Sequence, residues 1–308
     1  MVTVDLITGF LGSGKTTFIR KYAEYLLKKG ENICILENDF GAVNVDMMLL
    51  QELYSERCEL EMVAGDKDLE THRRRFKTKL ISLGMQGFDR VIVEPSGIFE
   101  PDEFFDLLYE DPLDRWYQVG NVIAIVDAGL SGGLSKDSEY IIASQTADAG
   151  ILVLSKTGDA DADPMRAVSY VNQALKNIGA DRQWTDQVLA KDWNSFTEDD
   201  FSRIASSGFV HTAFGRRPVM QKNQYESLYF MNLSVSREYF NQLCESIFQD
   251  RKCGRIYRIK GFLKEGENWL SANATESTIR ICQVQQGQDI LIVIGEELNK
   301  TEIQKYFK

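Results

Sequence analysis

The sequence is poor in the residues that build disulfides and zinc sites. It has 308 residues, with five cysteines and two histidines. Cys34, Cys58, Cys244, Cys253 and Cys282 are scattered, odd in number and never in a C-x-x-C pair. That pattern excludes a disulfide framework and a zinc knuckle. His72 and His211 stand alone, with no His-rich tail. No apolar run approaches the ~20 residues that cross a bilayer, and no basic-plus-apolar segment opens the chain. A soluble, cytoplasmic protein with no membrane contact is expected. Positive charge is also short. A formal net charge of −11 argues against a broad nucleic-acid surface, because phosphate contacts need clustered Lys and Arg. What is present is 44% hydrophobic and 26% charged residues, enough for a sizeable core in one large or two modest domains.

The chain is organised around Gly9-Phe10-Leu11-Gly12-Ser13-Gly14-Lys15-Thr16-Thr17. From Gly9 it fits G-x-x-x-x-G-K-[ST], the phosphate-binding P-loop. The alternative is a Gly-rich turn that binds nothing, and context decides against it. Residues 2–8 (VTVDLIT) are a short β-branched apolar run, the mark of a buried strand. After Thr17, Phe18, Ile19, Tyr22 and Leu26 recur at helical spacing, and Lys28-Lys29-Gly30 supplies a cationic last turn and a stop. Strand, Gly-rich turn and helix is the order the chemistry needs. The glycines let backbone N–H groups converge on a phosphate, and the helix start adds partial positive charge. Lys15 would reach the β- and γ-phosphates, and the Thr16 hydroxyl would ligate Mg²⁺.

Carboxylates follow at strand ends. Residues 32–37 (NICILE) read as a buried strand running into Asn38-Asp39-Phe40-Gly41 and Asn44-Val45-Asp46. Such strand ends are where ligands of α/β sheets bind; a plain turn rich in Asn, Asp and Gly is the alternative. Residues 88–94 (FDRVIVE) read as a strand closed by Glu94, with Pro95-Ser96-Gly97 behind it. In a P-loop protein this is the Walker B position, which holds Mg²⁺ directly or through water. Gly97 could offer its N–H to the γ-phosphate. The Arg73-Arg74-Arg75 run in the helix expected over 67–83 reads as a solvated face.

Strands over 121–127 and 150–154 alternate with helices over 101–109, 138–148 and 163–178. In the last, Asp163 is placed at the N-cap and Pro164 at N1. This alternation predicts a doubly wound, mainly parallel α/β sheet of P-loop NTPase type over 1–208. Residues 184–207 read as a mixed helical segment, and 209–224 as a polar linker. Beyond it, runs of adjacent strands (225–235, 255–263, 268–274, 278–284, 289–294) with helices over 237–249 and 301–307 predict a smaller α+β domain over 225–308 with an antiparallel sheet.

With these segments placed, the chain resembles the CobW/HypB/UreG family of P-loop GTPases, most closely its two-domain CobW-like branch. GFLGSGKTT is similar to the family's G-F-L-G-[AS]-G-K-T-T. Residues 37–46 resemble its N-E-F-G-x-x-x-[IV]-D switch, and Glu94-Pro95-Ser96-Gly97 with Pro101 its E-[TP]-S-G-x-x-x-P. Val126-Asp127-Ala128, Gln145 to Asp148, and RIYRIKGF at 255–262 echo further family motifs. The resemblance implies Mg²⁺-dependent GTP hydrolysis with slow intrinsic turnover. It also implies a role in metal delivery or cofactor assembly for a client metalloprotein or cofactor-assembly enzyme. Carried over, Lys15 holds phosphates, Thr16 holds Mg²⁺, Asp39 and Asp46 sense Mg²⁺ and the γ-phosphate, Glu94 is the Walker-B-like carboxylate and Gly97 senses the γ-phosphate. Arg73 to Arg75 could supply an arginine finger only in a closed or homodimeric state.

Two departures stand against these matches. The family's G-C-x-C-C thiolate motif, suited to Zn²⁺, is replaced by Gly65-Asp66-Lys67-Asp68-Leu69. The family's guanine-reading N-K-x-D is replaced by Ser155-Lys156-Thr157-Gly158-Asp159. Ser155 can stand for Asn and Lys156 is in register, but the carboxylate position holds Gly158. Either the loop shifts so that Asp159 serves, or no carboxylate reads guanine and ATP stays open. Other readings are a P-loop ATPase, a small-molecule kinase, a nucleotide-gated binder with no metal role, and a metal carrier with a site built differently.

Overall fold

The computed structural model describes residues 1–38, 45–63, 69–130, 132–215, 225–233 and 235–307, without the side chains of Val45 and Leu69. The chain divides into two compact units, Met1–Arg216 and Arg217–Lys308.

The first unit opens with β1 (Val2–Thr8), α1 (Lys15–Lys28), β2 (Ile33–Asn38) and α2 (Val45–Leu50). β3 (Cys58–Val63), α3 (Leu69–Gly84), β4 (Arg90–Pro95), α4 (Pro101–Leu108) and α5 (Leu113–Trp116) follow. β5 (Tyr117–Asp127), α6 (Lys136–Ala147), β6 (Ile151–Ser155), α7 (Pro164–Asn177), β7 (Val188–Leu189) and α8 (Glu198–Ala205) complete it. The seven strands lie in the order β3-β2-β4-β1-β5-β6-β7, and the pairs are parallel throughout. β1 is central, so the loop that follows it opens between the ends of β4 and β5.

Period-2 alternation sends neighbouring side chains to opposite faces of this sheet. Val4 and Leu6, Cys34 and Leu36, Val91 and Val93, and Val122 and Ala124 join one buried cluster with α3, α4, α6 and α7. Ile7, Ile33 and Ile35, Ile92, and Ile123 and Ile125 join a second cluster with α1, α2 and α8. Both faces are therefore covered, which is why these strands read as continuous apolar runs. The doubly wound parallel sheet is as the alternation of elements predicted.

Local differences have local causes. β3 was not expected, because Glu59 and Glu61 interrupt its apolar residues. It is an edge strand, and Glu61 pairs with Lys79 on α3 at 2.8 Å. Its Cys-Glu-Leu-Glu-Met alternation is the signal that could have found it. β5 starts at Tyr117 rather than residue 121, where the Tyr117 hydroxyl donates to Leu80 O. The mixed segment over 184–207 resolves into β7, a 3₁₀ turn Trp193–Ser195 and α8, which a Thr197/Asp200 capping box starts. Residues 209–212, placed in the expected linker, are tied into the first unit: Val210 N donates to Asp148 O and Thr212 N to Asp148 Oδ1. Residues 216–224 of that linker lie outside the described residues.

The second unit holds β8 (Tyr225–Met231), α9 (Arg237–Ile247), β9 (Arg255–Glu265), β10 (Asn268–Ala274), β11 (Ile279–Val284), β12 (Ile290–Glu296) and α10 (Lys300–Ile303). Its strands form an antiparallel sheet in the order β11-β10-β9-β12-β8. Phe230, Phe240, Leu243, Ile259, Leu291 and Val293 centre its core. β8 stops at Met231, short of the expected residue 235, because Asn232 turns into the left-handed region (φ 58°). The closing helix is short and ends in a 3₁₀ turn, Gln304–Phe307, that seats Phe307 in this core.

Among the described residues, Asp5 of the central strand β1 is a fully buried charged group, 0% exposed. It accepts hydrogen bonds from Arg90 Nη1 and the Tyr22 hydroxyl (both 2.7 Å) and from Asn121 N (2.8 Å). Without Asp5, Arg90 keeps Glu31 at 2.8 Å, but the Tyr22 hydroxyl and the Asn121 N–H lose a buried acceptor, at about 1–3 kcal/mol for each group left unpaired. Asp5→Ala is expected to lose stability on that scale, read as a shift of the urea midpoint; a change below about 1 kcal/mol would show that these bonds contribute little. At α8, Lys191, then the Thr197 backbone N–H, pull the Asp200 carboxyl down to about 2. This cap is fully in place above the unfolded value of about 4 and is lost as pH falls from there toward 2. The stability difference between the wild type and Asp200→Asn should therefore shrink over that window, and a pH-independent difference would refute the assignment.

Candidate functional site

The loop between β1 and α1 has the curled backbone that its glycines were expected to allow. Gly12 and Gly14 hold φ of 73° and 99°, in the left-handed region that side chains disfavour. A Cβ on Gly9 would lie 2.4 Å from Ile125 O and 2.6 Å from Ser13 Oγ. Ser13 Oγ is itself buried with no hydrogen-bond partner among the described residues. Lys15 and Thr16 begin α1 and are nearly buried, at 6% and 7% exposure. Lys15 Nζ lies in the mouth of the loop, donating to Gly9 O at 2.9 Å.

β4 brings the carboxylate of Glu94 to the same place. The Thr16 hydroxyl donates to Glu94 Oε1 at 2.9 Å. Glu94 Oε2 is buried and receives no hydrogen bond from an N–H or hydroxyl among the described residues. Burial pushes the Glu94 carboxyl up; Lys15 pulls it down, the negative charge of Asp46 raises it, and hydrogen bonds with Glu37 and Thr16 lower it. Glu37 and Glu94 are register partners on neighbouring strands, so two buried carboxyls share one spot beside the Lys15 ammonium. Asp46, at the start of α2, is also buried. An acidic pocket with an unsatisfied carboxylate oxygen and a serving hydroxyl fits a hard divalent cation. Among the described residues no three Cys, His, Asp or Glu side chains could hold a metal by themselves. A cation shared with a nucleotide asks for less, since Mg²⁺ takes one or two protein carboxylates and completes its shell from phosphates and water.

Gly97 is brought against the loop. A Cβ there would lie 2.7 Å from Leu11 N and 2.9 Å from Leu11 Cα. Gln145 on α6 fixes this approach, donating from Nε2 to Gly97 O (2.9 Å) and Phe99 O (3.1 Å). Its own carbonyl accepts from the Thr8 hydroxyl at 2.7 Å. Residue-type reading identified Gln145 only as part of a motif; its job depends on a long-range contact. Glu37 was likewise missed as a site group, although it ends an apolar strand as Glu94 does.

At the end of β6, Lys156 adopts φ 55°, and its Nζ donates to Asp127 Oδ2 at 2.5 Å. Asp127 Oδ1 accepts from Gly129 N. Asp159 N closes the turn on Lys156 O. Trp193 packs beneath this loop: its indole Nε1 donates to Leu154 O at 2.8 Å, and a Cβ on Gly14 would lie 3.2 Å from its ring.

The structure thus gathers Gly9 to Thr17, Asp46, Glu94 and Gly97 around one mouth, and places Ser155, Lys156 and Asp159 at the end of β6. Asp39 of the switch, and Asp66 and Asp68 of the segment replacing the thiolate motif, lie outside the described residues. Cys34 and Cys58 are not candidate thiolates. Burial pushes the Cys34 thiol far up and the Cys58 thiol up to about 11. His72 is a buried partner of Asn38 (2.7 Å) rather than a surface group. Arg73 and Lys77 on α3 are both held by Glu110. No helix among the described residues is long and apolar enough to cross a membrane.

The fold and the Gly-rich loop define a P-loop nucleotide-binding domain. Residues 3–186 match the CobW/HypB/UreG nucleotide-binding domain, and the chain belongs to the CobW/HypB/UreG family. Zinc chaperone YeiR of Escherichia coli is 29% identical over 184 residues, 59% of this chain and 54% of the relative. Zinc chaperone YjiA of the same organism is 28% identical over 163 residues, 51% of this chain and 49% of the relative. The chain thus spans about half the length of these curated relatives. Among solved structures, Zn(II)-bound YjiA GTPase from E. coli is similar at 18% identity and a TM-score of 0.36, covering 99% of this chain and 98% of that one. Hydrogenase maturation factor HypB from Archaeoglobus fulgidus gives 15% identity and a TM-score of 0.43 over 66% and 86%.

Gly97→Ala would drive a methyl into the loop backbone. We expect it to lower the thermal stability of the first unit by about 1–3 kcal/mol and to weaken nucleotide binding with it. Unchanged melting would mean that the Gly97–Leu11 contact is slack.

Proposed function

We propose that the protein binds and hydrolyses GTP with Mg²⁺, as a switch in metal delivery or cofactor assembly for a client protein. The carrying observation is the hydrogen bond from the Thr16 hydroxyl to Glu94 Oε1, with the buried Glu94 carboxyl beside Lys15. That hydrogen bond brings two hard oxygen donors together beside the phosphate loop, which supports this reading. Thr16 and Glu94 would hold Mg²⁺, with Asp46 and the switch residue Asp39 adding negative charge around it. Bound Mg²⁺ would neutralise phosphate charge. The chain's own groups do the rest. Loop N–H groups orient the β- and γ-phosphates, and Lys15 leaves Gly9 O to meet the charge that develops during in-line attack by water. Ser155 and Lys156 line the base side. The zinc-chaperone names of the relatives support metal delivery as the output. The acidic replacement of the thiolate segment argues that any carried metal is held differently here.

Calorimetric titration of the nucleotide-free protein with GTP and then ATP, each with Mg²⁺, tests this reading. GTP is expected to bind and to release phosphate slowly. Lys15→Ala should weaken binding by about tenfold to a hundredfold, the range for losing one charge-assisted hydrogen bond. Equal heats from the wild type and Lys15→Ala would sink the proposal. Preference for ATP would replace GTPase by ATPase or kinase.

A further inference from the structure

The loop after β6 lacks a side chain where a guanine-reading carboxylate is expected, because residue 158 is glycine. The structure brings another carboxylate to that place. A Cβ on Gly158 would have one neighbour within 4 Å among the described atoms, Asp192 Oδ2 at 3.8 Å. Asp192 comes from the loop after β7, next to the end of β6.

Its setting is that of a held but unspent acceptor. Oδ1 accepts from Asn194 N at 2.7 Å, which fixes the side-chain rotamer. Oδ2 accepts no hydrogen bond and makes no ion pair among the described residues. The neighbouring cation, Lys191, is committed to Asp200 at 2.7 Å. The next residue, Trp193, pins the loop by its bond to Leu154 O and its ring against Gly14 and Phe18. The backbone bearing Asp192 is therefore fixed to both the P-loop helix and the strand that ends in Ser155. Asp159, on the loop itself, has its Oδ2 buried.

We propose that Asp192 is the carboxylate that reads the base, accepting the N1–H and 2-amino hydrogens of a guanine seated over residues 155–159. Glycine at 158 leaves room for it. Adenine offers an acceptor at N1 and no 2-amino group, so it would leave the carboxylate facing a lone pair. Sites built around such hydrogen bonds discriminate strongly against analogues that lack the donor. The inference rests on the nucleotide-binding reading above and adds a specificity-determining residue to it.

The test is calorimetry on the full chain with Mg²⁺ and GTP, ATP or xanthosine triphosphate, for the wild type and Asp192→Asn. Asparagine keeps the Asn194 cap, accepts the base N1–H and donates its amide N–H to the 2-carbonyl of xanthine. The expected result is a loss of GTP affinity of about tenfold or more with a gain for xanthosine triphosphate, which misfolding cannot produce. Adding Gly158→Asp to Asp192→Asn should bring GTP binding back. GTP affinity unchanged in Asp192→Asn overturns the inference, as does the same switch produced by Asp159→Asn instead. A wild type that binds GTP and ATP equally overturns it while leaving nucleotide binding intact. A wild type that binds none of the three fails at the earlier reading.

Discussion

The parallel pairing of β1 with β4 is the constraint on which the site depends. It sets Leu6 beside Val93, so the Gly-rich turn leaving one strand and the carboxylate ending the other arrive at the same height. The Thr16–Glu94 hydrogen bond is the result. Among the described residues, Lys15, Thr16 and Glu94 all lie at, or just past, the carboxyl end of a strand. Helix starts point inward there, and the sheet keeps water from the carboxylates. The cost of burying Glu37, Asp46 and Glu94 close together is offset in part by Lys15. A bound cation would offset more.

Much of this was legible in the residues because it is local. A strand, a Gly-rich turn and a helix are written into consecutive positions, and Gly9 to Thr17 could be read without a partner. Glu94 was legible because a carboxylate closing an apolar strand is unusual. Asp163 and Pro164 announced the start of α7, and the structure has both in those roles. What could not be read is contact between distant segments. Gln145 braces Gly97 from another helix, Asp192 meets Gly158 from another loop, and no periodicity in either stretch encodes the meeting. β3 was hidden by its alternating glutamates, a price of being an edge strand next to a basic helix.

The base-side loop has a glycine at 158 with Asp192 of the neighbouring loop beside it. A glycine at 158 removes a carboxylate from the backbone that ordinarily carries it, yet the neighbouring loop is anchored by a tryptophan to the same helix that starts the P-loop. On the proposed reading, the base-side and phosphate-side loops would share one support. Changes at Trp193 would be felt on both sides of the nucleotide.

Gln145 and Asp148 sit one helical turn apart at the end of α6. The first holds the Gly97 segment; the second holds residues 210 and 212, where the chain is about to leave the first unit. The two fastenings are in mechanical series. If loss of the γ-phosphate moves the Gly97 segment, it must either break two buried hydrogen bonds, at about 1–3 kcal/mol each, or drag the end of α6 with it. In the second case residues 210–212 move too, and a one-turn lever would carry the state of the nucleotide to the edge of the fold.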